Sequence, residues 1–242
     1  MRRRRTLELV SARPLSPSVR SLVFAVLGDE PFRYVAGQWV DLFTPTRSGL
    51  VMKRSYSIAS AFGAAGPRRI ELAVTRTGGP ASDALHALPV GARLDMDGPE
   101  GSFTRAAAPK DRPALFVGAG TGLAPLRAML QEELADAVEG DERPPLALLF
   151  GCRTEADILW GDELRAWERH PRFSLHVTLS RPPATWSGKR GYVQAHVGEV
   201  LADLPAALVY VCGVSAMVED VLAALRGELG VARERIYAEE YD

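Results

Sequence analysis

Arg54-Ser55-Tyr56-Ser57 puts a guanidinium, an aromatic ring and two hydroxyls into one short stretch. A cation there can form charge-assisted hydrogen bonds to a phosphate, and a tyrosine offers an apolar face and a hydroxyl. Taken alone, the stretch is equally a strand with a solvated arginine at its end. Gly118-Ala119-Gly120-Thr121-Gly122 follows the apolar run Ala114–Val117 and precedes a helical stretch opening at Ala124-Pro125. Glycines let a backbone approach a pyrophosphate closely, and the helix N-terminus adds unpaired N–H groups and roughly half a unit of positive charge. Pro125 suits the first helical turn, where its missing N–H costs nothing. Strand before and helix after favour a phosphate site at the carboxyl edge of a sheet over a plain connecting turn. The spacing G-x-G-x-G-x-x-P departs from the dinucleotide fingerprint G-x-G-x-x-G, whose third glycine would stand at Leu123, so the manner of nucleotide binding stays open.

Other residues carry weaker signals. Cys212 ends the apolar run Leu208–Cys212, where a buried structural thiol is the ordinary reading. Ser180-Arg181 and Lys189-Arg190-Gly191-Tyr192 form a basic loop after a strand. Cys152 is expected to pack at a strand end, and Glu132-Glu133 and Asp162-Glu163 to lie on solvated helix faces. The four histidines show no metal-ligand spacing, so no metal is expected.

Two kinds of element must hold these groups. In the first hundred residues, short β-like runs are separated by Gly and Pro: Leu7–Ser11, Val19–Val26, Gln38–Phe43, Ser55–Ser60, Ile70–Thr75 and Arg93–Asp97. One short helical patch, Asp83–Leu88, interrupts them. This rhythm predicts an antiparallel barrel or sandwich. From about Pro113, compact apolar runs at Ala114–Val117, Leu146–Phe150, Leu175–Leu179 and Leu208–Cys212 alternate with helical stretches such as Pro125–Val138. That alternation predicts a doubly wound parallel sheet. Thr104–Arg112 reads as the linker, which divides the chain into 1–108 and 109–242.

The composition bounds the function. Of 242 residues, 47% are hydrophobic and 24% charged, and the net charge is −1, which suits a folded chain and gives no reason to expect nucleic acid or an acidic membrane as partner. The run Arg2–Arg5 reads as a solvated terminus. No apolar run approaches a membrane span and no secretory pattern follows the arginines, so a cytoplasmic protein is expected. Two cysteines exclude a disulfide scaffold and a four-thiolate iron–sulfur cluster within this chain.

With both halves in view, the chain resembles the ferredoxin–NADP reductase family over nearly its full length. Arg54-Ser55-Tyr56-Ser57 matches the flavin motif R-x-Y-S, and Gly79-Pro80-Ala81-Ser82 the following G-x-x-S. Gly98–Phe103 resembles G-P-x-G-x-F, Gly118–Pro125 the pyridine-nucleotide loop, and Cys212-Gly213 the late C-G motif. Ile236–Tyr241 looks like the family's aromatic–Glu–aromatic ending. Six short motifs in the family's order are specific where each alone is weak.

The resemblance implies a Greek-key antiparallel barrel binding FAD, an α/β domain binding NADPH or NADH, and the two cofactors meeting at the interface. It implies phosphate contacts for Arg54, a flavin or ribityl contact for Tyr56, and a hydrogen bond near the reactive ring nitrogen for Ser57. Ser55, Gly79 and Ser82 fall in the flavin-binding set. Gly118, Gly120, Thr121, Gly122 and Pro125 fall in the nucleotide set. Cys212 and Gly213 would lie by the nicotinamide, Glu239 would tune protonation there, and Tyr241 would cover the flavin. The neighbouring Glu240 leaves that last alignment open by one residue. Ser180, Arg181, Lys189, Arg190 and Tyr192 would meet the adenosine half. Their positive charge favours NADPH, although L-S-R-P-P-x-x-W-x-G-x-x-G-Y-V is also similar to NADH-using relatives. The activity implied is hydride transfer from NAD(P)H to FAD. Electrons then pass to a separate acceptor: ferredoxin, flavodoxin, an oxygenase component or free flavin. The alternative is a non-catalytic flavin- or nucleotide-binding module that relays electrons or senses redox state.

Overall fold

The computed structural model describes residues 4–30, 32–46, 48–66, 68–105, 108–135 and 142–241. It divides into two compact units: Met1–Ala106 with Arg127–Glu133, and Ala107–Leu126 with Leu134–Asp242. Of the basic terminal run, Arg2 and Arg3 lie outside the described residues, whereas Arg4 stacks 3.9 Å from the Phe43 ring centroid.

The first unit is an antiparallel sheet of six strands: β1 (Arg5–Pro14), β2 (Val19–Val26), β3 (Trp39–Pro45), β4 (Val51–Ser57), β5 (Arg69–Thr75) and β6 (Arg93–Glu100). Their spatial order is β4-β3-β6-β1-β2-β5, in which β6 inserts between β3 and β1. An isolated antiparallel bridge from Ile58 to Leu72 links the two outer strands and closes the sheet into a barrel. The core follows from alternation: Leu22, Phe24 and Val26 of β2 point inward with Leu7, Leu9, Leu42, Ile70, Leu72 and Met96. Each such side chain contributes about 1.5–3 kcal/mol by leaving water. A short helix, α1 (Pro80–His86), follows β5 and starts earlier than the expected Asp83 because Pro80 suits its first position.

β4 departs from the sequence expectation. It runs over Val51–Ser57, not Ser55–Ser60, and is mostly exposed because it lies at the edge of the ladder. After Ser57 the chain turns inward, and Ile58, Ala59 and Ser60 are buried outside any strand.

The second unit is an all-parallel six-stranded sheet: β7 (Ala114–Ala119), β8 (Leu146–Cys152), β9 (Phe173–Leu179), β10 (Lys189–Arg190), β11 (Leu208–Val214) and β12 (Ile236–Tyr241). The order β10-β9-β8-β7-β11-β12 makes it doubly wound, with its switch point between β7 and β11. β7, β8 and β11 are buried along almost their whole length, as strands covered on both faces require. On one face Phe116, Tyr210 and Tyr237 stack at 5.3 and 4.9 Å between centroids. The opposite face packs Leu115, Val117, Val209 and Val211 on α4 (Val197–Ala202) and α5 (Ser215–Ala223). α3 (Gly161–Trp167) carries Asp162 and Glu163. Asp162 is solvated as expected and pairs with Arg165. The ending Ile236–Tyr241 is a full strand, paired in register with β11.

α2 (Leu123–Leu134) differs from its expectation in two ways. Every residue from Leu123 to Leu130 is buried, where the spacing implied one solvent face. Glu133 is not solvated: it is 5% exposed and ion-paired at 3.0 Å with equally buried Arg105. The burial of Glu133 follows from Arg127–Glu133 grouping with residues of the first unit, among them Arg105. The expected helical residues 136–138 lie outside the described residues, as do 106 and 107 of the linker.

Candidate functional site

In the first unit the site is built on the exposed edge strand. Strand alternation puts Arg54 and Tyr56 on one face of β4 and Lys53 and Ser55 on the other. On the Lys53 side, two groups hold buried Asp41: Lys53 Nζ lies 2.7 Å from its Oδ2, and Ser55 Oγ donates to its Oδ1 at 2.7 Å. Lys53 thus neutralises a carboxylate that is 1% exposed, and Ser55 is committed to the same contact. Arg54 Nη1 donates to the Lys53 carbonyl, and the exposed guanidinium has no ion-pair partner among the described residues. Burial raises the Tyr56 pKa, and the Arg54 charge draws it partly back. Ser57, half-buried, ends the strand.

Gly79 caps α1 with no side-chain bond, so the first-turn N–H groups are open to an acceptor. The Ser82 hydroxyl is turned inward: it donates to the Gly79 carbonyl at 2.9 Å and accepts from the Thr77 N–H at 3.2 Å. It shapes the turn, which leaves backbone groups to meet a ligand.

In the second unit, the glycine loop leaves β7 at the switch point as a 3-10 turn, Gly120–Gly122, running directly into α2. Pro125 is the third helical residue. Gly120 is exposed at φ +54°, with open space where a side chain would stand. Gly122 serves close approach: a Cβ there would lie 2.1 Å from the Cys212 carbonyl oxygen. A Cβ on Gly118 would meet Leu126 at 2.8 Å. A Cβ on Gly213 would meet the Met217 sulfur at 2.9 Å, a flexible side chain that can give way. The turn carries no side-chain cap at Ala119.

The β11–β12 register pairs Cys212 with Glu239, Gly213 with Glu240, and Val214 with Tyr241. Paired residues of a parallel ladder share a face, so Glu239 stands with Cys212 and Glu240 points to the other, exposed side. Of the two glutamates, Glu239 is the one that shares the Cys212 face. Cys212 is fully buried, and burial followed by the Glu239 charge raises its pKa well above the ordinary thiol value. It is a protonated thiol at neutral pH, unsuited to nucleophilic attack. The Thr121 hydroxyl donates to Tyr241 Oη at 3.1 Å, and that phenol donates to the Ala119 carbonyl at 3.3 Å. Burial raises the Tyr241 pKa. Thr121, Gly122, Cys212, Glu239 and Tyr241 therefore form one cluster at the carboxyl ends of β7, β11 and β12.

The basic loop is less available than its composition suggests. Lys189 Nζ pairs with Glu199 at 2.7 Å, and that hydrogen bond lowers the Glu199 pKa. Arg190 Nη2 donates to the carbonyls of Pro183, Ala184 and Trp186 at 3.2, 3.3 and 2.7 Å. Arg181 is exposed, next to half-buried Ser180, with its side chain uncommitted among the described residues; Tyr192 is 68% exposed. Sequence reasoning missed these commitments because partners such as Glu199 carry no motif.

The donor sets suit the groups implied by the resemblance. In the first unit these are an exposed guanidinium on the face of β4 that carries a half-buried phenol, and the uncapped turn at Gly79. In the second unit they are an uncapped glycine turn with open space at Gly120, beside a neutral thiol and a carboxylate.

Comparison with known proteins agrees. Residues 6–104 match the family model for the oxidoreductase FAD-binding domain, and residues 116–223 that for the oxidoreductase NAD-binding domain. A ferredoxin–NADP reductase B of Sorangium cellulosum is 47% identical over 97% of this chain and 96% of its own length. The reductase component of a propane 2-monooxygenase of a Gordonia species is 30% identical over 98% of this chain and 67% of its own. The crystal structure of an Amycolatopsis cytochrome P450 reductase superposes with a TM-score of 0.82 at 29% identity, covering 98% of this chain and 69% of that one.

Proposed function

This chain belongs to the ferredoxin–NADP reductase-like family of FAD-dependent NAD(P)H oxidoreductases, and on that premise we propose how its residues divide the work. FAD, when bound, would supply the hydride-accepting and electron-releasing chemistry between NAD(P)H and a separate acceptor; the chain's own residues bind, align and shield. Residues 1–108 hold the flavin and 109–242 the nucleotide.

Arg54 binds the flavin phosphates, and the open N–H groups after Gly79 add donors. Tyr56 lies along the ribityl–ring region, and Ser57 hydrogen-bonds at the reactive edge. Gly118, Gly120, Thr121, Gly122 and the first turn ending at Pro125 hold the nucleotide diphosphate. Cys212, kept neutral by burial, borders the nicotinamide without attacking it, while Gly213 lets the ring approach. Glu239 holds a proton-accepting oxygen beside that thiol, and Tyr241 covers the flavin ring. Ser180 and Arg181 meet the 2′-phosphate of NADPH, because Lys189 and Arg190 already serve Glu199 and the loop carbonyls; Tyr192 borders the adenosine. The acceptor is a ferredoxin, a flavodoxin, an oxygenase component or free flavin, and the setting is cytoplasmic. No helix among the described residues is long and apolar enough to cross a membrane.

The observation that carries the flavin half is Arg54: an exposed guanidinium without an ion-pair partner among the described residues, on the face of β4 that carries Tyr56. Removing it costs the charge-assisted bonds to phosphate, about 1.5–3 kcal/mol, or roughly a 10- to 150-fold weaker FAD complex. Equilibrium titration of apo-protein with FAD checks this in Arg54→Ala, with thermal unfolding as the control. An unchanged FAD affinity refutes the phosphate role.

A further inference from the structure

The four residues after Ser57 present an accounting problem. Ile58, Ala59, Ser60 and Ala61 are all buried, yet only Ile58 touches a neighbouring strand through a bridge. Buried backbone groups need partners, and each unmet one is costly. The Ile58 N–H donates to the Gln38 carbonyl and the Ala59 N–H to the Glu71 carbonyl, at 2.9 and 2.7 Å. The Tyr34 hydroxyl donates to the Ala61 carbonyl at 2.8 Å. Two further bonds come from α2. Arg127 Nη1 donates to the Ala59 carbonyl at 2.6 Å, and the Ala61 N–H donates to Gln131 Oε1 at 2.8 Å.

Arg127 does more than fill one vacancy. It is 5% exposed, and the same nitrogen lies 2.9 Å from Glu71 Oε2. The other Glu71 oxygen accepts from the Ser21 hydroxyl at 2.6 Å, with Arg13 at 4.0 Å. The Glu71 N–H in turn donates to Ser60 Oγ, which lies 3.1 Å from the Tyr34 hydroxyl. The segment is thus enclosed by a polar net whose one buried cation is anchored on a helix.

We propose that Arg127, supported by Gln131, is a positioning residue for flavin binding: it fixes the Ile58–Ala61 backbone and so sets where Tyr56 and Ser57 stand. The inference rests on the flavin reading above. One guanidinium nitrogen serves both the carbonyl and the carboxylate, and the planar, preorganised guanidinium holds it in a fixed direction, where a lysine ammonium is a more flexible, more strongly hydrated point charge.

The test uses the full-length apo-protein of wild type, Arg127→Lys, Arg127→Met and Gln131→Leu. It measures FAD affinity by titration, amide hydrogen exchange across residues 57–62, and thermal unfolding. Arg127→Met is expected to weaken FAD at least tenfold, Arg127→Lys less, and Gln131→Leu by a smaller factor. Exchange at Ala59 and Ala61 should quicken ahead of the barrel strands. If Arg127→Met fails to fold, Arg127→Lys and Gln131→Leu decide. Folded variants that bind FAD like the wild type, or that leave exchange at these amides unchanged, overturn the proposal. Wild-type protein that binds no FAD overturns the flavin reading beneath it, a distinguishable result.

Discussion

Burial sets the protonation of several side chains that carry no charge at neutral pH. Cys152, half-buried at the end of β8, has its pKa pushed up to about 12 by burial and then by the Asp157 charge. Tyr34 is likewise raised to about 12 by burial. Each is an acid whose folded-state pKa exceeds its unfolded value. Between those two values the unfolded chain has lost a proton that the folded chain retains, so stability falls as pH rises. The contribution is complete below the ordinary thiol value of 9.0 and is lost through the window up to about 12. Urea unfolding under reducing conditions should show a lower midpoint near pH 10 than near pH 8, a range that spans the usual thiol pKa. Cys152→Ala should show a smaller drop than wild type. An equal drop in the variant contradicts the assignment to Cys152. Cys212, deeper still, stays a thiol throughout the neutral range, which is the state the proposed role at the nicotinamide requires.

Among the elements, the glycine loop separates two uses of glycine that its sequence spacing conflates. Gly122 is fixed by the chain itself, since any side chain would collide with the Cys212 carbonyl of β11. Gly120 has open space and a left-handed backbone, so its freedom serves conformation and, on the proposed reading, ligand approach. Gly122→Ala is expected to cost about 1–3 kcal/mol of stability, as overpacking does, with or without nucleotide. Gly120→Ala should cost about 1–2 kcal/mol, the left-handed penalty for a side chain, and weaken nucleotide binding further. Thermal unfolding with and without nucleotide distinguishes them; ligand-independent effects of equal size at both positions contradict the division. The elements that sequence rhythm revealed were those with dense apolar patterning: β2 matched Val19–Val26, and β7, β8 and β11 each contain the expected apolar run. What escaped depended on distant partners. β10 is two residues long and defined only by pairing with β9. β4 ends at Ser57 because Ile58 turns to bridge β5. The burial of Glu133 depends on Arg105, 28 residues away. At the candidate site, Arg54, the glycine loop and Cys212 stand out in the sequence as residue types at fixed spacing. The prior commitment of Lys189 and Arg190, and the net around Arg127, were not, because hydrogen-bond partners leave no pattern in one sequence.

At the scale of the whole molecule, one unit carries an exposed cation and a phenol on a barrel edge, and the other a glycine turn beside a neutral thiol. Neither set performs redox chemistry with its own side chains, so the activity requires both cofactors. On the proposed reading, Arg181, whose side chain is uncommitted among the described residues, would favour NADPH over NADH. The most direct test is anaerobic rapid mixing of FAD-loaded protein with NADPH and, separately, with NADH, following the visible flavin absorbance. The flavin band should bleach in a single turnover with both nucleotides, faster at equal concentration with NADPH, and more slowly in Cys212→Ala with FAD still bound. Faster bleaching with NADH would reverse the nucleotide assignment, and an unaltered rate in Cys212→Ala would return that thiol to a packing role. Bound flavin that stays oxidised with either nucleotide would contradict the account.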